Sequence, residues 1–169
     1  VDILKDGSLD LPDDLLCELD VVVASVHYHR ELSESAMTDR LVEAIRNHPI
    51  SVVGHPTGRM IGARDPYPLD FDRMFEAARE RGVCLELNAN PERLDLSDHH
   101  SRAAVEAGVS LVISTDAHST GTLEYMRYGI DTARRGWVEP GSVVNTLPID
   151  EVRSALRPDR AGSRGGDRG

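Results

Sequence analysis

The stretch LVISTDAHSTG, residues 111–121, decides how the chain folds. Its first part is apolar and β-branched, as in a buried strand. It ends in Asp116 and His118, two metal-competent side chains two positions apart, and Gly121 marks a turn soon after. The segment TLEYMRYGIDTARRG (122–136) then reads as a helix. A buried strand, a polar ending and a helix together form the repeating unit of a parallel sheet covered by helices.

The same unit recurs upstream. LDVVVASVH (19–27), ISVVGHP (50–56) and VCLELNAN (83–90) read as strands, and SLVISTDAH (110–118) is the fourth. Between them SAMTDRLVEAIRNHP (35–49) carries Met37, Leu41, Ala44 and Ile45 at helical spacing, with Pro49 as its stop. DFDRMFEAARERG (70–82) sets Met74, Phe75 and Ala78 on one face, and Gly82 is its expected C-terminal cap. SDHHSRAAVEAG (97–108) is a helix that also ends at glycine, and IDEVRSAL (149–156) is the last helix. No internal sequence repeat accompanies this alternation. Residues 1–156 are expected to form one α/β domain. The tail RPDRAGSRGGDRG (157–169) has no apolar stripe and is expected to be disordered.

With 169 residues and 40% hydrophobic content the chain has enough apolar surface for a core. No apolar run approaches the roughly 20 residues that span a bilayer, so no membrane partner is expected. The formal net charge of −10 argues against broad attraction to nucleic acid or anionic lipid, while leaving room for a local basic groove. Lys5 is the single lysine; every other basic residue is arginine. Cys17 and Cys84 lie far apart with no CxxC spacing, which predicts reduced thiols and a cytoplasmic location.

The strand endings carry the chemistry. The first strand ends at His27, the second at His55, the third at Asn88 and Asn90, and the fourth at Asp116 and His118. In parallel α/β folds the C-terminal ends of the strands share one side of the sheet, so distant residues become neighbours. Imidazole and carboxylate suit zinc, manganese or iron, and the lack of cysteine ligands argues against a structural zinc finger. Arg59, just past His55, is a candidate for gripping phosphate; Asn88, Asn90 and Arg93 are candidates for touching substrate. Each has a plainer alternative, a surface ion pair for Arg59 and loop-capping bonds for the others. His48 sits at a helix end where a cation suits the dipole, while His99 and His100 are expected in solvent.

In VDILKDGSLDLPDDLL, VVVASVHYH, VVGHPTGRMIGAR, LELNANPERLDL, ISTDAHSTGTLEYMRYGIDTARRGW and VVNTL the chain resembles the PHP family of metal-dependent phosphoesterases. The likeness is greatest to the PHP domain at the C-terminal end of bacterial and archaeal family X DNA polymerases. The resemblance implies a distorted (β/α)7, TIM-like barrel, present here in part with its first strands missing. It implies a divalent metal cluster (Mn2+, Zn2+ or Fe2+) of up to three ions in the complete domain. His27, His55, Asp116 and His118 are the implied ligands, with Asp116 and His118 also catalytic. The family's opening HxH motif, a later histidine and a bridging glutamate fall before Val1. The resemblance therefore also implies an N-terminal truncation, with a polymerase core upstream. A chain with so few of the ligands is expected to be nearly inactive alone and prone to associate through unpaired sheet edges.

The implied activity is 3′-5′ exonuclease or end-processing action on DNA 3′ ends, in repair or proofreading. The alternatives are a phosphatase acting on a small phosphomonoester such as histidinol phosphate, or a non-catalytic remnant that only scaffolds. NANPERLD and MRYGIDTARRGW resemble the polymerase-associated group.

Overall fold

Hydrophobic burial on both faces of a four-stranded parallel sheet organises the computed structural model, which describes residues 1–156. The expected tail, 157–169, lies outside the described residues. In chain order the elements are α1 (Asp13–Leu16), β1 (Val23–Ala24), α2 (Glu34–Asn47), β2 (Val52–Val53), α3 (Phe71–Arg81), β3 (Cys84–Asn88), α4 (Asp98–Glu106), β4 (Leu111–Ser114), α5 (Met126–Arg135) and α6 (Ile149–Leu156). The strands lie side by side in sequence order, β1-β2-β3-β4, all parallel. The α/β alternation expected from the sequence is therefore present, with α1 as an addition.

Alternation along the strands separates two faces. Ala24, Val53, Leu85 and Leu111 face Met37, Leu41, Ile45, Met74 and Phe75 of α2 and α3 in the main core. Val52, Cys84 and Val112 face the other way and pack under Val144, Leu147, Val152 and Leu156. On this second face the same period carries Ser25 and His27, Glu86 and Asn88, and Ser114 and Asp116 toward the strands' C-terminal ends.

The helices start where the sequence supplies caps. Ser33, Asp70 and Ser97 accept the N–H groups of Ala36, Arg73 and His100 at 3.3, 3.1 and 3.3 Å. Gly82 ends α3 in the left-handed conformation at φ +66°, as its position predicts. The helix expected over 122–136 is divided. Thr120–Tyr125 forms a tighter 3-10 segment, because Thr122 hydrogen-bonds back to the Ser119 carbonyl at 2.8 Å, and the α-helix starts only at Met126.

The sheet edges are not bare. Residues 1–3 run parallel to β1: Ser25 N–H donates to the Val1 carbonyl at 3.0 Å and Ile3 N–H to the Ser25 carbonyl at 2.9 Å. On the other edge Asn145 imitates a neighbouring strand. Its Oδ1 accepts the Ile113 N–H at 2.8 Å and its Nδ2 donates to the Ile113 carbonyl at 2.9 Å. The expectation of unpaired edges is corrected accordingly, since side chain and terminus satisfy the backbone groups that would template association. Among the described residues no helix is long and apolar enough to cross a membrane.

Candidate metal centre

Two left-handed residues aim the ends of β2 and β4. His55 has φ +30° and Asp116 φ +52°, values that non-glycine residues seldom adopt. Such strain costs on the order of 1–3 kcal/mol per residue and persists where surrounding contacts over-determine it. Strand alternation alone would turn His55 toward the helices with Val53. Instead its ring lies against that of His27, with centroids 5.2 Å apart and planes 65° from parallel.

Glu86 supplies the over-determination. This carboxylate stands in the middle of β3, 7% exposed. Oε2 accepts the backbone N–H of His55 and, at 3.3 Å, the amide of Asn88; Oε1 accepts the hydroxyl of Ser114. One side chain thus ties the ends of β2 and β4 to β3. Burial raises its pKa, and the three donors oppose the rise. Asp95, fully buried, does the same for the next turn by accepting the Thr57 N–H at 3.0 Å; burial lifts its pKa to about 6.

Neighbouring groups fix two of the imidazoles. His27 Nδ1 donates to the carboxylate of Asp2, which the pairing of Asp2 with Ser25 brings alongside β1. His118 Nδ1 hydrogen-bonds the carbonyl of Asp116 at 2.7 Å, so Nδ1 carries the proton. In each ring a second group holds Nδ1, the arrangement that orients a metal-binding histidine. His55 is held neutral: burial, then the charges of Arg93 and His27, lower its pKa to about 4. Its buried Nδ1 has no hydrogen-bond partner. A neutral imidazole with an orphaned nitrogen beside a second imidazole is the donor chemistry a borderline cation takes. The fit is partial: among the described residues no group of three or more His, Cys, Asp and Glu side chains converges to hold an ion.

The remaining candidates divide. Arg93 reaches the centre, its Nε 3.5 Å from Asp116 Oδ2. Arg59 directs Nε to the Arg93 carbonyl at 2.7 Å and Nη2 to the Leu94 carbonyl, so two of its donors clamp the 90–95 loop. Asn88 is fully buried, with Oδ1 on the Asn90 N–H at 3.0 Å, and Asn90 Oδ1 accepts the Glu92 N–H at 3.0 Å. That is the loop-capping arrangement. His48 pairs with Asp13 at 2.8 Å. His100 departs from the expectation of solvent: it is half-buried, and its ring stacks on that of Phe71, the first residue of α3, with centroids 3.9 Å apart.

Glu86, Asp95 and Asp2 were not singled out from the sequence. Glu86 left a usable signal, since an acid flanked by Leu85 and Leu87 in a strand buried on both faces must have internal donors. Asp95 and Asp2 lie in loops whose course depends on tertiary contacts.

No family model matches the chain. The chain is 45% identical over 157 residues to the "DNA polymerase/3'-5' exonuclease PolX" of Bacillus subtilis (strain 168), covering 93% of this chain and 28% of that protein. It is 27% identical over 162 residues to a protein of Thermoanaerobacter sp. (strain X514) named "Probable phosphatase", covering 90% of the chain and 63% of the relative. A Caldanaerobacter subterraneus protein with the same description is 29% identical over 171 residues, covering 65% of its length. The chain spans less than two thirds of the relatives it matches. The chain thus joins a parallel α/β sheet with His, His and Asp-x-His at its strand ends to relatives named as a polymerase/exonuclease and as probable phosphatases. These likenesses are consistent with the PHP family and with the PHP domain of family X DNA polymerases.

Proposed function

We propose that the chain serves metal-dependent phosphoester hydrolysis, acting as the 3′-5′ exonuclease part of a family X DNA polymerase on DNA 3′ ends. The observation that carries this reading is the His27–His55 pair, 5.2 Å apart, one ring fixed by Asp2 and the other neutral with an unpartnered nitrogen. His27, His55, Asp116 and His118 would hold the divalent ions, whether manganese, zinc or iron. When bound, such ions polarise a phosphoryl oxygen and lower the pKa of water.

The chain's own groups divide the remaining work. Glu86 and Asp95 hold the His55–Thr57 backbone in place. Asp2 holds the proton on His27 Nδ1. Arg93, beside Asp116, is the group best placed to meet a substrate phosphate, and Arg59 positions Arg93 by clamping its carbonyl. Asn88 and Asn90 act on the substrate indirectly, through the shape of the 88–95 loop. We read the sheet as part of a (β/α)7 barrel, supported by the sequential parallel order and by apolar packing on both faces. A polymerase core elsewhere in the polypeptide and a cytoplasmic location belong to the same reading.

The relatives named as phosphatases support a second reading, hydrolysis of a small phosphomonoester. The test uses the longest natural polypeptide that carries these residues, a 5′-labelled single strand, histidinol phosphate and Mn2+. Stepwise shortening of the strand from its 3′ end, lost with Asp116→Asn, is the expected result. Turnover of histidinol phosphate alone would transfer the assignment to the phosphatase reading, and turnover that survives EDTA would end both.

A further inference from the structure

An arginine inside a helix ordinarily reaches solvent or a carboxylate. Arg40, in α2, does neither. It is 2% exposed, and among the described residues no carboxylate lies within ion-pair distance of it. Its guanidinium goes entirely to backbone. Nε donates to the Leu4 carbonyl at 2.7 Å, Nη1 to the Tyr28 and His29 carbonyls at 3.0 Å each, and Nη2 to the Ile3 carbonyl. Burial lowers its pKa, and the charges of Tyr67, Asp2 and Asp6 oppose the shift. Taking a cation out of water without a paired anion is costly, and an apolar side chain would fill the same space with less penalty. What an apolar side chain lacks is a rigid, planar fork of donors that holds two pieces of backbone at a set separation.

The four carbonyls belong to two segments. Ile3 and Leu4 directly follow Asp2, and Tyr28 and His29 directly follow His27. Asp2 and His27 are the two side chains that hydrogen-bond each other. On their upstream side the segments are joined by backbone, through Ser25 N–H on the Val1 carbonyl and Ile3 N–H on the Ser25 carbonyl. Past Ile3, among the described residues, no backbone hydrogen bond joins them. Leu4 turns back toward Ser8, its N–H on the Ser8 carbonyl at 2.7 Å, and His29 takes φ +53°. Arg40 is the link across this gap. The turn is also seated on α2, because a Cβ on Gly7 would lie 2.6 Å from Glu43 Cβ and 2.9 Å from the Arg40 carbonyl.

We propose that Arg40 is a positioning residue for the metal centre: by clamping the residues after Asp2 to those after His27, it holds the Asp2 carboxylate on the His27 ring. Glu86 fixes the backbone of His55 from within the sheet, and Arg40 fixes His27 from the helix layer. The inference rests on the metal-dependent reading and adds to it a residue that acts only through the Asp2–His27 pair.

The experiment follows the His27 ring proton by NMR of the 15N-labelled 169-residue chain in EDTA. A ring N–H held on a carboxylate gives a downfield, slowly exchanging signal, and its loss in Asp2→Ala assigns it. Arg40→Met keeps the alkyl stem, removes the fork and should lose the signal while the far-ultraviolet circular dichroism stays as in wild type. Arg40→Lys keeps the charge but has no fork to span both segments, and should lose most of it. Gly7→Ala lifts the same turn from α2 without changing the guanidinium and should reproduce the loss, so the test stands even where Arg40→Met fails to fold. Thr38→Val, in the same helix, removes the acceptor of the Asp70 N–H, away from both segments, and should keep the signal. Titration of Mn2+ is the second readout. Arg40→Met should weaken binding about tenfold, the scale for losing a group behind a ligand, and no further in an Asp2→Ala background. The wild-type signal in a folded Arg40→Met or Arg40→Lys chain overturns the proposal. So does an equal loss in Thr38→Val, or additive losses of affinity in the double variant. A signal that depends on Arg40 in a chain that binds no metal upholds the positioning and sinks only the metal reading.

Discussion

Arg93 Nε stands 3.5 Å from Asp116 Oδ2, so the aspartate that ends β4 already faces a cation from the loop after β3. A divalent ion approaching Asp116 must displace or share that contact. Arg93→Met should therefore raise the apparent affinity for Mn2+ by up to about fivefold, the range set by partly exposed pairs worth 0.2–1 kcal/mol. It should at the same time weaken the grip on phosphate. Calorimetric titration of Mn2+ into wild type and variant measures the first effect; a drop in affinity would assign Arg93 to support of the site.

Glu86 joins the ends of three strands through His55, Asn88 and Ser114. Glu86→Gln keeps an acceptor for the His55 N–H and should be tolerated. Glu86→Leu strands that buried donor and should cost about 1–3 kcal/mol in urea unfolding. It should also abolish metal binding, because nothing then holds His55 at positive φ. Stability equal to wild type in Glu86→Leu would remove Glu86 from the account.

Gly129 faces the sheet so closely that an added Cβ would lie 2.5 Å from Ile113 Cγ2 and 2.8 Å from Ala89 Cβ. Gly129→Ala gains helix propensity in α5 but must push the helix off β3 and β4. A net loss of about 1–3 kcal/mol is expected from the overpacking. A raised melting temperature would show that α5 is free to move outward.

Acid should destabilise the fold through its neutral histidines. His55 and His100 have pKa values near 4, mainly because of burial, against an ordinary 6.5. Between those values the unfolded chain takes up protons that the folded chain refuses, so their contribution is complete above 6.5 and is lost as pH falls through 4. Asp95 works in the opposite sense: raised from 3.8 to about 6, it favours the fold below 3.8 and loses that contribution as pH rises through 6. His100→Phe keeps a ring on Phe71 and removes one titration. Urea midpoints at about pH 7.5 and about pH 4.5 should lie closer together in this variant than in wild type. An unchanged gap would mean that His100 takes its proton in the folded state.

The alternation of strands and helices was legible because burial writes its period directly into the sequence: VCLELNAN contains β3, buried throughout, whereas LDVVVASVH supplies only the short β1, Val23–Ala24, with Val21 and Val23 exposed. Four candidate ligands were legible for the same reason, as polar residues that interrupt apolar runs. What the residues did not disclose depends on contacts across the sheet. Nothing local in HPTGR says that His55 turns to positive φ, since Glu86, 31 positions on, holds it there. The clamp of Arg59 on the Arg93 and Leu94 carbonyls left no local sign either, since it reaches 34 and 35 positions along the chain. The covering of both sheet edges was equally hidden, because Asn145 acts on Ile113 from 32 positions away.

The most direct measurement is calorimetric titration of Mn2+ or Zn2+ into the chain, comparing wild type with His55→Ala and Asp116→Ala. The account predicts saturable binding that weakens at least tenfold in each variant while the far-ultraviolet circular dichroism stays the same. Binding of equal strength in all three proteins, or none in wild type at millimolar metal, would contradict a metal centre at these strand ends.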